Sequence, residues 1–161
     1  MTLSEQIAFW IKGCERLAIM GIGNPLRGDD AVGLEILREL KGKLGGNVKL
    51  IECGMVPENY LAEIERFHPT HVLMIDAAQL EDEPGTARLI PPENIAGIAL
   101  STHAMPLSLM AGIIKESLGA KVMLLGVQPE KTEFGEGLSP KLRKAARRIA
   151  EDVLKAAASI G

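Results

Sequence analysis

Two rhythms of apolar residues run through the chain. The first is a set of short continuous runs: Leu17-Ala18-Ile19-Met20, Val48-Lys49-Leu50-Ile51, Val72-Leu73-Met74-Ile75 and Val122-Met123-Leu124-Leu125. Runs of this length between polar or glycine-rich segments read as strands. They predict strands over about 16–22, 48–52, 71–75 and 121–127, the third of them ending on Asp76. The second rhythm has helical spacing. It predicts helices from Asp30 to about 42, from Pro57 to Arg66, over about 106–118, and from Pro140 to about 158. In the last of these Leu142, Ala145, Ala146, Ile149, Val153 and Leu154 share one face. A further helix over 4–13 opens the chain, with Ser4 as its N-cap and Trp10 turned onto the domain.

Strands that alternate with helices imply an α/β fold, a three-layer α/β/α sandwich with helices on both faces of a mostly parallel sheet. Five strands are expected. Thr86 to Ile90 follows the exposed turn Glu81-Asp82-Glu83-Pro84-Gly85 and is stopped by Pro91-Pro92, which makes it the antiparallel edge strand. No repeat and no linker interrupts the 161 residues, so one domain is expected over 1–161.

Composition narrows the function classes. Apolar residues make up 47% of the chain, enough for a sizeable core. A net charge of −3 and only 3% aromatic residues argue against nucleic acid as a partner. The basic run Lys141, Arg143, Lys144, Arg147 and Arg148 lies off the apolar face of its helix and reads as a solvated surface. Cys14 and Cys53 lack CxxC spacing, which suggests neither a disulfide framework nor a zinc site and fits a reducing cytosol. Glu5, Lys12, Glu15 and Arg16 break up the apolar stretches of the N-terminus, so neither a signal peptide nor a membrane insertion is expected. A cytoplasmic protein is the expectation.

The chemistry gathers around Gly21 to Gly33, GIGNPLRGDDAVG, which joins the first strand to the helix after it. Gly21 and Gly23 allow a sharp strand exit. The pattern is neither GxGxxG nor a P-loop, and two carboxylates there would repel a phosphate. Asp29 and Asp30 sit where the helix begins. One aspartate suffices for a cap, and the second suggests a cation as guest. In parallel sheets ligands bind at the carboxyl ends of the strands. Asp30 follows the first strand, Asp76 ends the third, and His103 lies in the loop before a helix. A carboxylate leaving a buried strand costs several kcal/mol unless it is paired or coordinated. Each of the three has an ordinary structural alternative, as a helix cap, a loop hydrogen bond or a core histidine. Together they make a hard-to-borderline cation site with open positions, suited to zinc, nickel or another divalent ion. His68 and His71 lie before or at the start of a strand, away from that edge. The sequence has no GxSxG elbow and no HExxH helix.

Four segments in order, GIGNPLRGDDAVG, VLMIDAA, STHAMPLSL and LLGVQPEKTEFGEGLSP, resemble the hydrogenase maturation endopeptidases from about Leu17 to the last helix. The resemblance implies an enzyme that removes the C-terminal extension from the precursor of a nickel–iron hydrogenase large subunit. It implies that Asp30, Asp76 and His103 contact nickel already carried by that precursor, and that zinc or cadmium would occupy the same place in vitro. Asp29, Gly23, Asn24 and Gly54 are implied supporting residues, with other maturation proteins as further partners. Residues 1–15 look like an addition to the family's usual start. Two other readings share these residues: a nickel-delivery or scaffold protein that cuts nothing, and a peptidase of the germination-protease kind on the same scaffold.

Overall fold

The computed structural model describes residues 1–100 and 105–160. The elements run in order α1 (Leu3–Trp10), β1 (Leu17–Ile22), α2 (Val32–Leu40), β2 (Val48–Gly54), α3 (Leu61–Phe67), β3 (His71–Gln79), β4 (Ala87–Ile90), α4 (Pro92–Ile95), β5 (Ala99–Leu100), α5 (Leu107–Leu118), β6 (Lys121–Val127) and α6 (Pro140–Ala157). Short 3₁₀ turns at Gly28–Ala31 and Pro57–Tyr60 lead into α2 and α3.

The sheet order is β2-β1-β3-β6-β4, parallel except for β4, which runs antiparallel to β6 at one edge. The expected antiparallel edge is therefore present. The described residues contain six strands rather than five, because the two-residue β5 pairs antiparallel with the end of β3. Two further differences have simple causes. β3 does not stop at Asp76 but continues to Gln79, since β6 pairs with it as far as Ala77. The cap of α1 is Thr2, not Ser4: Thr2 Oγ1 accepts from the Glu5 amide and Glu5 Oε1 accepts from the Thr2 amide, a reciprocal capping box.

Alternate residues of the strands feed two cores. Leu17 and Ile19 of β1, Leu73 and Ile75 of β3, and Leu125 and Val127 of β6 pack with α1, α2 and α6. Ala18, Met20 and Ile22, Val72 and Met74, and Val122 and Leu124 pack with α3, α4 and α5 on the other face. By the same alternation Asp76 continues the Val72–Met74 side, toward α5. The basic residues of α6 are exposed as the sequence predicts. No helix is long and apolar enough to cross a membrane among the described residues.

Helix α2 sits unusually close to the sheet. A Cβ on Gly33 would overlap the carbonyl oxygens of Ile75 and Ile22. Only hydrogen fits there, so the glycine sets the distance between the helix start and the ends of β1 and β3.

At the opposite edge His71 begins β3, only 3% exposed, with its ring edge-on to Trp10 at 5.2 Å between centroids. Burial, and then the Lys121 ammonium on the neighbouring strand, pushes its pKa below the ordinary 6.5. The unfolded chain thus takes up a proton at a pH where folded His71 is still neutral, so protonation favours unfolding. This part of the stability is complete above the unfolded value and is lost as pH falls from there through the folded one. Denaturant midpoints should drop between about pH 7 and pH 5, and His71→Gln should flatten that slope. An unchanged slope in the mutant would show that another group carries the dependence.

Candidate functional site at the carboxyl edge of the sheet

The site is assembled by the turn between β1 and α2. The Gly23 amide donates to the Gly54 carbonyl at 2.9 Å, tying the exit of β1 to the exit of β2. A Cβ on Gly23 would run into the Asp30 carbonyl oxygen, so the turn folds back tightly only with glycine there. Asn24 Oδ1 accepts from the Leu26 amide at 2.9 Å and shapes the next step. Gly23, Asn24 and Gly54 therefore all hold the geometry of the turn.

The adjacent aspartates have separate work. Asp29 is fully buried and does not cap the turn that it belongs to. Its carboxylate instead reaches across to residues 130–139. Oδ2 accepts from the Glu130 amide at 3.0 Å, the Lys131 amide at 2.9 Å and the Ser139 hydroxyl at 2.9 Å, and Oδ1 accepts from the Ser139 amide at 2.7 Å. Ser139 in turn caps α6 by accepting from the Leu142 amide. The Asp29 amide donates to the Lys131 carbonyl at 2.8 Å, which closes the connection in both directions.

Asp30 faces a cleft of ≈160 Å³ whose walls include Arg27, Ala77, Gln79, Leu100 and Thr132. It is 8% exposed, and Arg27 Nε lies 3.9 Å from its Oδ2. Arg27 also donates to the Thr132 carbonyl at 3.3 Å, which sets the guanidinium at the mouth of the cleft. Asp76 is fully buried and immediately precedes Ala77 in the cleft wall; its Oδ1 accepts from the Ala77 amide at 2.9 Å. The Gly28–Ala31 turn packs against β3, so both acids belong to one neighbourhood at the carboxyl ends of β1 and β3. His103 lies outside the described residues. Among those described, no three His, Cys, Asp or Glu side chains gather closely enough to hold a metal.

Two anionic oxygen donors suit a hard or borderline divalent ion and leave most of its coordination sphere to other ligands. A cysteine nucleophile is not offered here. Burial pushes the Cys53 thiol up to about 12, helped by nearby Glu63, so it is not a thiolate at neutral pH. Sequence reading did not single out Arg27, since an exposed arginine in a turn has no distinguishing pattern. Its only signal is its place within three residues of Asp30.

Comparison with known proteins gives one family. The model for the hydrogenase maturation protease family matches residues 34–156. The hydrogenase 3 maturation protease of Escherichia coli is 31% identical over 132 residues, 81% of this chain and 84% of that protein. The crystal structure of a [NiFe] hydrogenase maturation protease from Thermococcus kodakarensis superposes with a TM-score of 0.88. It is 34% identical, covering 96% of this chain and 99% of that one. The solution structure of an endopeptidase from Escherichia coli superposes with a TM-score of 0.74 at 29% identity, covering 84% of this chain and 87% of that one.

The division of labour between the aspartates is testable. Asp29→Asn keeps the shape but sets an amide against donors that need an acceptor, and should cost about 2–4 kcal/mol in a denaturant melt. Asp30→Asn should cost clearly less. Equal costs would mean that both residues are structural.

Proposed function

This chain belongs to the hydrogenase maturation proteases, and on that premise we propose that it is an endopeptidase completing a nickel–iron hydrogenase large subunit. It removes the C-terminal extension of the nickel-carrying precursor. The observation that carries the chemical part of the reading is the pair Asp30 and Asp76, buried at the carboxyl ends of adjacent strands beside one cleft.

The metal in this reading is part of the substrate. Asp30 and Asp76, with His103, contact the nickel that the precursor brings, and the precursor's own ligands fill the remaining positions. Bound there, the ion supplies Lewis acidity toward a peptide carbonyl close to it. The residues of this chain do the rest. The hydrogen bond from the Ala77 amide holds the Asp76 carboxyl group near the end of the parallel ladder, so one oxygen faces a constant direction. Asp30 stands opposite, at the cleft, with its carboxylate able to take the proton of an attacking water. The Arg27 guanidinium beside it offsets part of the negative charge that two buried carboxylates bring together. The cleft is narrow and its Ala77, Ala78 and Ala99 walls carry small side chains, which leaves room for an extended main chain over Asp30.

The deciding experiment is incubation with nickel-loaded precursor, read by mass. Wild-type protein should shorten the precursor once and leave a nickel-free preparation uncut. Asp76→Asn should stay folded and cleave about 100-fold more slowly or worse, the scale of a lost acid–base or positioning group. A folded Asp76→Asn that cleaves at the wild-type rate would remove Asp76 from the site. A precursor of unchanged mass with wild-type protein would remove the function.

A further inference from the structure

Beside the cleft stands a surface that the proposed chemistry leaves unused. Residues 26–27 and 134–135 are zipped into a short ribbon: the Gly135 amide donates to the Leu26 carbonyl at 2.8 Å, and the Gly28 amide donates to the Gly135 carbonyl at 2.8 Å. The Asp29 carboxylate fixes the same loop from below through its four hydrogen bonds. On this fixed ribbon Phe134 is 85% exposed and Leu26 is 46% exposed. The chain has three phenylalanines, and this one gains nothing from its own fold. The backbone under this aromatic is already fixed, so docking need not order it.

The ribbon divides two hollows. Arg27 faces the Asp30 cleft on one side. On the other lies a groove of ≈410 Å³ with an apolar wall that includes Leu26, Leu34 and Leu138, and with Glu35, Arg38 and Glu136 also lining it. Glu133 and Glu136 flank Phe134, both exposed, and neither has a cation paired to it among the described residues.

We propose that Phe134 and Leu26 are the anchor on which the hydrogenase precursor docks, with one apolar side chain of the precursor seated in the Leu34–Leu138 groove and a lysine or arginine of the precursor facing Glu133 and Glu136. This rests on the reading of the Asp30 cleft as the place where the precursor is cut. Continuity selects this occupant. The anchor and the cleft share the Leu26–Arg27 strand of the ribbon, so a chain held on Phe134 passes directly over Asp30. A second copy of this protein is the poorer occupant, because it would cover the cleft. The apolar part of the patch is also two side chains and one groove, well short of the roughly 1,200–2,000 Å² that a stable interface buries.

The test compares wild type with Phe134→Ser, Leu26→Ser and the conservative Phe134→Leu, using nickel-loaded precursor. Affinity is measured by calorimetry and turnover by mass. Phe134→Ser should weaken binding and raise KM about tenfold or more, the scale of one lost interface anchor, while kcat at saturation and thermal stability stay unchanged. Phe134→Leu should restore most of the affinity, and Glu133→Lys with Glu136→Lys should weaken binding most at low salt. Phe9→Ser, at an exposed phenylalanine of α1 beside the His71 edge, should behave as wild type. Unchanged affinity in Phe134→Ser overturns the proposal. So does a fall in kcat alone, or a wild-type dimer that Phe134→Ser dissociates. If wild type binds the precursor but never cuts it, the proposed function fails, while the affinity comparison still judges the anchor. If wild type does not bind it at all, both fail.

Discussion

A buried carboxylate with four hydrogen bonds holds the working edge of this protein together. Asp29 has no exposed surface, and an ion in that place is tolerable only because its oxygens are saturated by donors. Those donors come from residues 130–139, roughly a hundred positions away in sequence. The bonds fix the start of α6 through Ser139, close the loop against the glycine turn, and set the ribbon on which Phe134 stands. Remove the charge and several backbone amides lose their acceptor at once, so the cost falls on the whole edge rather than on one contact.

Close packing fixes the other coordinate. Because Gly33 admits the carbonyls of Ile75 and Ile22 against its Cα, α2 begins directly on the ends of β1 and β3. Asp30 precedes that contact by three residues and Asp76 follows it by one. The two acids are thus positioned by the rigid part of the molecule, the central strands β1 and β3, rather than by a free loop. Functional precision here follows from hydrogen in place of a methyl group.

β1, β3 and β6 were legible because each is built on an apolar run too short for a helix, and the alternation within them divides between two helical layers. Asp30 and Asp76 were legible as candidates because each sets a carboxylate at the edge where parallel sheets bind ligands. The end of β3 was not, since a carboxylate inside an apolar run looks like its boundary, whereas β6 carries the ladder on to Ala77. β5 is two residues long and exists only through its pairing with Ala78 and Gln79. Asp29 was read as a cap or a support for Asp30, because its partners are distant and local pattern carries no record of them. Phe134 lies in a stretch of mostly polar residues with no apolar pattern around it to single it out. Its meaning comes from exposure on a segment held rigid by a residue that sequence reading assigned elsewhere.

Separating the two aspartates has a physical consequence for how such a site can wait for its substrate. If one carboxylate both braced the loop and bound a cation, every change in occupancy would pull on the fold. Here the bracing charge is saturated by protein donors, which leaves it no capacity to coordinate anything further. On the proposed reading, Asp30 can then exchange contact with Arg27 for an incoming cation without the edge loosening, because the edge is held by its neighbour. Arg27 is suited to that exchange. It is half exposed, its Nε lies 3.9 Å from Asp30, and the Thr132 carbonyl gives its guanidinium another acceptor. With the arginine half in water and 3.9 Å between the groups, this ion pair is weakened by solvent and can be exchanged. On that reading, the two carboxylates and the Arg27 beside Asp30 would hold a cation moderately, and fully once the partner bringing it supplies ligands and surface of its own.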